Sequence, residues 1–296
     1  MDRHHPIRCA ASTVFLVLLI PVMGLTLIAC GPSDPGVAAE SASADGLAVD
    51  PVLRLVPQVL ATHPHDPTAF TQGLELIEGR LLESTGIYGE SGIREVDRAT
   101  GRVLRSALVD TTWFGEGLTS LGDDRAIQLT WKAGRAVVWD LATLSEVDVL
   151  TYGGQGWGLC RLGEAGPDRA ADSLVMSDGS DRLTFRNLDL TRTGDIAVRL
   201  DGRPVKRLNE LECVDGTVWA NVWQTDTIVA IDPSTGAVTA VVDASGLLAD
   251  RSALGDEDVL NGIAHDPETG RFLLTGKRWP VLFEVVFEPA SEQSEG

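Results

Sequence analysis

A short pattern that returns along the chain limits what this polypeptide can fold into. Phe70-Thr71-Gln72-Gly73-Leu74-Glu75 is echoed by Phe114-Gly115-Glu116-Gly117-Leu118-Thr119. Gln155-Gly156-Trp157-Gly158-Leu159-Cys160, Leu208-Asn209-Glu210-Leu211-Glu212 and Leu260-Asn261-Gly262-Ile263-Ala264 follow. One column reads Gln72, Glu116, Trp157, Asn209, Asn261, at spacings of 44, 41, 52 and 52 residues. A mostly glycine column stands beside it, then Leu or Ile. Copies at a period of roughly 40–50 residues predict a propeller, one four-stranded blade per copy. The glycines fit innermost strands crowding around one axis, where backbones approach closely. The polar column then converges on a shared channel.

The fold class expected is therefore all-β, a five-bladed propeller. Between the copies, short strands alternate with turns of the Asp-x-x-Thr-Gly kind, such as Asp97–Gly101 and Asp232–Gly236. Residues 52–60 form a surplus strand ahead of the first copy. Its expected partner is 281–287, so that an N-terminal strand completes the last blade. An acidic connection over 247–259 is expected to hold a short helix, and 163–172 reads as an insertion.

Residues 1–30 read as a targeting segment. Arg3 and Arg8 precede an uncharged run from Ala10 to Ala29 that ends in Leu27-Ile28-Ala29-Cys30. That ending has the form of a bacterial lipobox, with Cys30 as the lipidated residue. A plain secretory signal and a single membrane anchor are the alternatives. The organisation expected is 1–30 signal, 31–50 disordered tether, 51–290 propeller and catalytic domain, and 291–296 disordered tail. An exported lipoprotein at the periplasmic face of a membrane follows, touching that membrane only through its anchor. A net charge of -19 without a Lys/Arg cluster disfavours nucleic acid. A monomer is expected. Cys160 and Cys213 lie in repeat columns that differ by one position, which favours two free buried thiols over a disulfide.

Glu116 is the only carboxylate in the polar column, with Trp113 and Phe114 beside it. In a dry aromatic pocket such a group holds its proton more tightly and can serve as acid and base in turn. The plainer reading is a structural carboxylate bonded to backbone amides. Lys277 follows a strand of the last copy, as a channel cation or as a solvated loop lysine. His63, His65 and His265 flank Asp or Pro in turns and read as surface or outer-layer groups. No ligand spacing suggests a metal, and no cofactor motif is present.

Taken together, Phe70-Thr71-Gln72-Gly73, Phe114-Gly115-Glu116-Gly117, Gly156-Trp157-Gly158-Leu159, Leu208-Asn209-Glu210-Leu211-Glu212, Ala220-Asn221-Val222-Trp223 and Thr275-Gly276-Lys277 with Trp279-Pro280 resemble the plant- and bacterial-type glutaminyl-peptide cyclotransferases. The resemblance spans about residues 50–287, in order. It implies a five-bladed propeller that cyclises the N-terminal glutamine of a peptide or protein to pyroglutamate, releasing ammonia without a metal. It implies Glu116 as proton carrier, and Gln72, Asn209 and Lys277 as partners of the substrate's polar groups. Phe70, Phe114, Trp131, Trp157 and Trp223 would form an aromatic wall. Two other classes remain open on the residues alone. One is a non-catalytic lipoprotein propeller that binds a peptide or an envelope ligand. The other is a lactonase-like hydrolase, with Glu210 and Glu212 joining Glu116 around a cation.

Overall fold

The computed structural model describes residues 51–163 and 172–290. The expectations for the signal, Cys30, the tether, the tail and most of the 163–172 insertion lie outside those residues. Every regular element described is a β-strand. Strand β1 (Leu53–Pro64) opens the described chain. Four strands follow as one antiparallel sheet, β2 (Thr71–Ile77), β3 (Arg80–Thr85), β4 (Gly92–Val96) and β5 (Val103–Leu108). The next sheet is β6 (Gly115–Gly122), β7 (Arg125–Thr130), β8 (Arg135–Asp140) and β9 (Ser145–Thr151). A third is β10 (Leu159–Leu162), β11 (Ser173–Met176), β12 (Arg182–Arg186) and β13 (Arg192–Ala197). A two-stranded ribbon, β14 (Arg199–Leu200) with β15 (Arg203–Pro204), precedes β16 (Leu208–Val214), β17 (Thr217–Val222), β18 (Thr227–Ile231) and β19 (Val238–Asp243). Last come β20 (Leu260–Asp266), β21 (Arg271–Gly276) and β22 (Val281–Pro289).

Burial explains this division. β7 and β18 are buried almost throughout, as strands covered on both faces must be. The outer strands β5 and β9 are largely exposed. Apolar side chains of neighbouring sheets meet in separate clusters. Leu82 and Ile93 pack with Leu118, Val137 and Trp139. Leu183 and Val175 pack with Leu211, Val218 and Val229. Leu74, Leu81 and Val96 pack with Ala264, Leu273 and Leu282, which brings the last strands against the first sheet. Fully burying one such side chain contributes roughly 1.5–3 kcal/mol.

β1 is hydrogen-bonded to β22, antiparallel from Leu55↔Pro289 to Pro64↔Val281, as the surplus strand led us to expect. It also runs parallel to β19 over Leu53–Leu55, joining β16–β19 and β20–β22 into one eight-stranded sheet. That second pairing was not foreseen. The connection over 247–259 consists of turns and bends and contains no helix. Its Gly255, Pro-free acidic run and Asp-capped turns hold the backbone by side-chain acceptors instead.

Cys160 and Cys213 form a disulfide, with Cα atoms 5.5 Å apart, against the expectation of free thiols. The reason is register. β16 carries a bulge between Leu208 and Leu211, and β2, β6 and β20 carry bulges at the matching place. No bulge interrupts the β10–β11 pairing, which begins at Leu159. A bulge takes up one residue and re-aims those after it, so the one-position offset between the two columns disappears.

Candidate active site

The inner strands β2, β6, β10, β16 and β20 pack side by side in the order β2, β6, β10, β16, β20, with β20 also beside β2. Their approach leaves no room for side chains at the glycine column. A Cβ on Gly158 would stand 2.0 Å from the Asn209 carbonyl oxygen, and one on Gly117 2.5 Å from the Leu159 nitrogen. In β16 the column holds Glu210 instead, whose carboxylate accepts from the amides of Leu74 at 3.2 Å and Ile263 at 2.9 Å.

Where these strands begin, they surround a cavity of about 350 Å³. Its lining brings together Phe70, Gln72, Phe114, Glu116, Trp131, Trp157, Asn209, Trp223 and Lys277, all nine residues singled out from the sequence. Glu257, from the acidic connection, completes it and was not anticipated. Glu210 and Glu212 do not line it. Among the described residues no group of three or more His, Cys, Asp or Glu side chains is arranged to hold a metal ion.

The walls are aromatic. Phe70 meets Phe114 edge-on at 6.1 Å, and Phe114 meets Trp131 at 5.8 Å. Trp157 meets Trp223 edge-on at 5.5 Å. Gln155 Oε1 accepts from the indole nitrogens of both Trp131, at 2.7 Å, and Trp157, at 3.3 Å, fixing the two rings relative to each other. Trp139 and Trp279 belong to the core instead. Tyr88, an exposed residue that the repeat did not mark, extends the wall by an edge contact with Phe114 at 5.4 Å.

Glu116 is 4% exposed, and no described residue hydrogen-bonds its carboxylate. Burial pushes its pKa well above the usual carboxylate range, and the nearby Lys277 ammonium only partly offsets this. Burial likewise lowers the pKa of Lys277, while Glu116, Glu257 and Asp258 pull it back up. Lys277 Nζ stands 4.9 Å from the centroid of the Phe70 ring. The backbone around Lys277 is pinned, since its amide donates to Val259 O at 2.9 Å and the next amide, of Arg278, to Ala69 O at 2.6 Å.

Two amides complete the floor. Asn209 is 2% exposed, and its Oδ1 is buried without a partner. Gln72 receives a hydrogen bond on Oε1 from Asn261 Nδ2 at 3.3 Å, and Asn261 also donates to Thr71 O at 2.9 Å. Gln72 is thereby turned so that its Nε2 donors remain for the cavity. Serines carried by the preceding sheet hold the backbone under the polar column. Ser84 Oγ donates to Glu116 O, and Ser177 Oγ to Asn209 O at 2.6 Å. His65, expected at the surface or in an outer layer around the site, is buried and takes the second of these places. Its Nε2 lies 3.0 Å from Glu83, and its Nδ1 bonds Trp279 O at 2.6 Å. Glu83 also accepts from Thr71 and Arg94, so one ionic network ties the start of β2 to the turn that carries Lys277. Asn261 stands in the polar column that the sequence marked, whereas Ser84, Ser177 and Glu83 do not belong to it.

A solvent-poor aromatic cavity with one unbonded carboxylate, one ammonium and two oriented amides can seat a small polar group and move a proton on it. Comparison with known proteins places this arrangement. Residues 35–287 match the family model described as glutamine cyclotransferase. A glutaminyl-peptide cyclotransferase of Arabidopsis thaliana is 42% identical over 245 residues, covering 80% of this chain and 73% of that protein. The crystal structure of Myxococcus xanthus glutaminyl cyclase superposes with a TM-score of 0.74 at 36% identity, covering 81% of this chain and all of that one. The chain therefore belongs to the glutamine cyclotransferase family.

Proposed function

We propose that this protein is a glutaminyl-peptide cyclotransferase, an aminoacyltransferase that closes an N-terminal glutamine onto its own side chain. The observation that carries the reading is Glu116, a buried carboxylate without a hydrogen-bond partner among the described residues, in one cavity with Lys277, Gln72 and Asn209. The fold that supports it is read as a propeller of five blades, closed by β1 lying against β22.

The reaction is intramolecular, so the site has to fix one rotamer and handle protons. The aromatic wall would hold the aliphatic part of the glutamine. Asn209 Oδ1 would accept from the substrate's N–H groups, which relieves a buried orphan acceptor. The neutral α-amine attacks the side-chain carbonyl carbon, forming the new C–N bond of the five-membered ring. Glu116 takes a proton from that nitrogen. Lys277 Nζ and Gln72 Nε2 donate to the oxygen of the tetrahedral intermediate. As the C–N bond to the side-chain nitrogen breaks, Glu116 returns the proton to it, and the products are pyroglutamyl peptide and ammonia. A carboxyl with a raised proton affinity suits both transfers, because it lies nearer the amines it exchanges with. No step needs a metal.

The test is ammonia release from Gln-Ala-amide with and without a chelator. Release that withstands chelation, with pyroglutamyl product in equal amount, supports the reading. No release from any glutaminyl peptide would remove it.

A further inference from the structure

Glu257 lines the cavity and has no part in the proton transfer. It is exposed, as the mouth of a pocket would require, and among the described residues no cation is in ion-pair contact with it, the Lys277 ammonium acting on it only at a distance. The neighbouring Arg278 is engaged elsewhere, its Nη1 donating to Asp258 Oδ1 at 2.8 Å. The turn that carries Glu257 is clamped at both ends. Gly255 N donates to Asp258 Oδ2 at 2.8 Å, and Asp258 N donates back to Gly255 O at 3.0 Å. Trp279 Nε1 donates to Asp258 O at 2.9 Å. A flexible acidic loop would place its charge anywhere, whereas these bonds fix the backbone that carries Glu257 at the rim.

A peptide whose first residue occupies the cavity must leave through that mouth, so the residues after the glutamine pass the rim. We infer that Glu257 is a specificity-determining residue that favours glutaminyl peptides with a positively charged side chain just after the glutamine. The inference rests on the cyclotransferase reading and adds to it a substrate class. The rim also holds cations. Lys132 Nζ sits 3.6 Å from the centroid of the Trp131 ring, and the Arg207 guanidinium 5.9 Å from that of Trp223. Both are exposed and suit a peptide's carboxylates, so the mouth is divided by charge, and the Glu257 part of it is the anionic one.

The experiment compares kcat/KM for Gln-Lys-amide and Gln-Glu-amide, whose blocked C-termini leave only the side-chain charge to differ. A solvent-screened pair acts on each substrate by a small factor, attractive for one and repulsive for the other. Glu257→Gln should therefore lower the Lys:Glu ratio by roughly 3–10-fold, and Glu257→Lys should lower it further. Asp256→Asn, which removes the exposed charge next door, should leave the ratio within about twofold of the wild type. An unchanged ratio in Glu257→Gln would overturn the inference, as would an equal fall in Asp256→Asn, which would assign the preference to the general field of an acidic protein. A wild type that cyclises neither peptide would instead strike the activity itself, an outcome distinct from both.

Discussion

Glu116 and Lys277 line one cavity and form no ion pair. Each is buried, and each acts on the other only at a distance, Lys277 lowering the proton affinity of Glu116 and Glu116 raising that of Lys277. Direct contact would neutralise both and lock the carboxylate in its charged form. Held apart, they leave room for a substrate between them, with Glu116 as proton acceptor and Lys277 as oxyanion partner in the mechanism we propose.

Glu116→Gln keeps the size of the side chain but cannot carry a proton. Turnover of a glutaminyl peptide should fall by about 10²–10⁴-fold, with the melting temperature at neutral pH no lower than wild type, because an ionisable group is removed from a dry site. Steady-state kinetics and thermal denaturation measure both. Near-normal turnover would exclude Glu116 from the chemistry.

Asn261 acts through Gln72. Asn261→Ala removes the donors to Gln72 Oε1 and Thr71 O, freeing the glutamine amide to rotate. KM should rise more than kcat falls, and stability should drop by about 1–3 kcal/mol for the orphaned buried acceptors. If kinetic constants for Gln-Ala-amide match the wild type, the orientation of Gln72 is not set by this bond.

We propose from the lipobox form of Leu27-Ile28-Ala29-Cys30 that Cys30 carries a lipid, so that Cys30→Ser should block its attachment. Metabolic labelling with a fatty acid should mark the wild type and not the variant, and the variant should appear unprocessed or in the soluble fraction. Equal labelling of the two proteins would rule out Cys30 as the anchor.

β1 pairs with β22 over most of its length. A chain beginning at residue 51 should melt like the full protein, while one beginning at residue 62 loses the pairs from Leu55 to Ala61 and exposes an apolar strand edge. It should melt lower and aggregate. Identical melting and solubility would deny β1 its closing role.

How legible this protein was depends on which property is asked for. The strand plan follows from period and turn residues, both local, and the turns read at Asp97–Gly101 and Asp232–Gly236 fall between β4 and β5 and between β18 and β19. The nine cavity residues were legible because Gln72, Glu116, Trp157 and Asn209 share a column and the others flank it or match the family's motifs. The Cys160–Cys213 bond was misjudged because a bulge changes which way a side chain points without leaving a mark in the sequence. Glu257 and the Ser84 and Ser177 supports escaped notice for a related reason, while Asn261 was marked by its column and only its bond to Gln72 was not. Loop placement and contacts between sheets are set by tertiary packing, and no residue spacing encodes them.

Below the cavity the same inner strands carry three carboxylates that act on one another, Glu75, Glu210 and Glu212. Each accepts backbone amides, Glu75 from Ser120, Glu210 from Leu74 and Ile263, and Glu212 from His265. Burial raises all three, Glu75 to about 7, and mutual repulsion raises Glu210 and Glu212 further. A carboxyl that binds its proton more tightly when folded than when unfolded stabilises the fold fully only below its unfolded pKa. That contribution is lost as pH rises through the folded value. Wild-type melting temperature should therefore fall between roughly pH 5 and pH 8, around the value for Glu75. Glu83 works the opposite way and elsewhere. Burial opposes its charge, but His65, Arg94 and Thr71 outweigh that and hold it at about 2, so its contribution is lost only in strong acid. Glu75→Gln keeps an acceptor for Ser120 and removes one of the three charges. Its melting temperature should match the wild type in mild acid and exceed it above neutrality, with a shallower decline between. Parallel pH profiles for the two proteins would show that this cluster does not hold its protons in the way its burial requires.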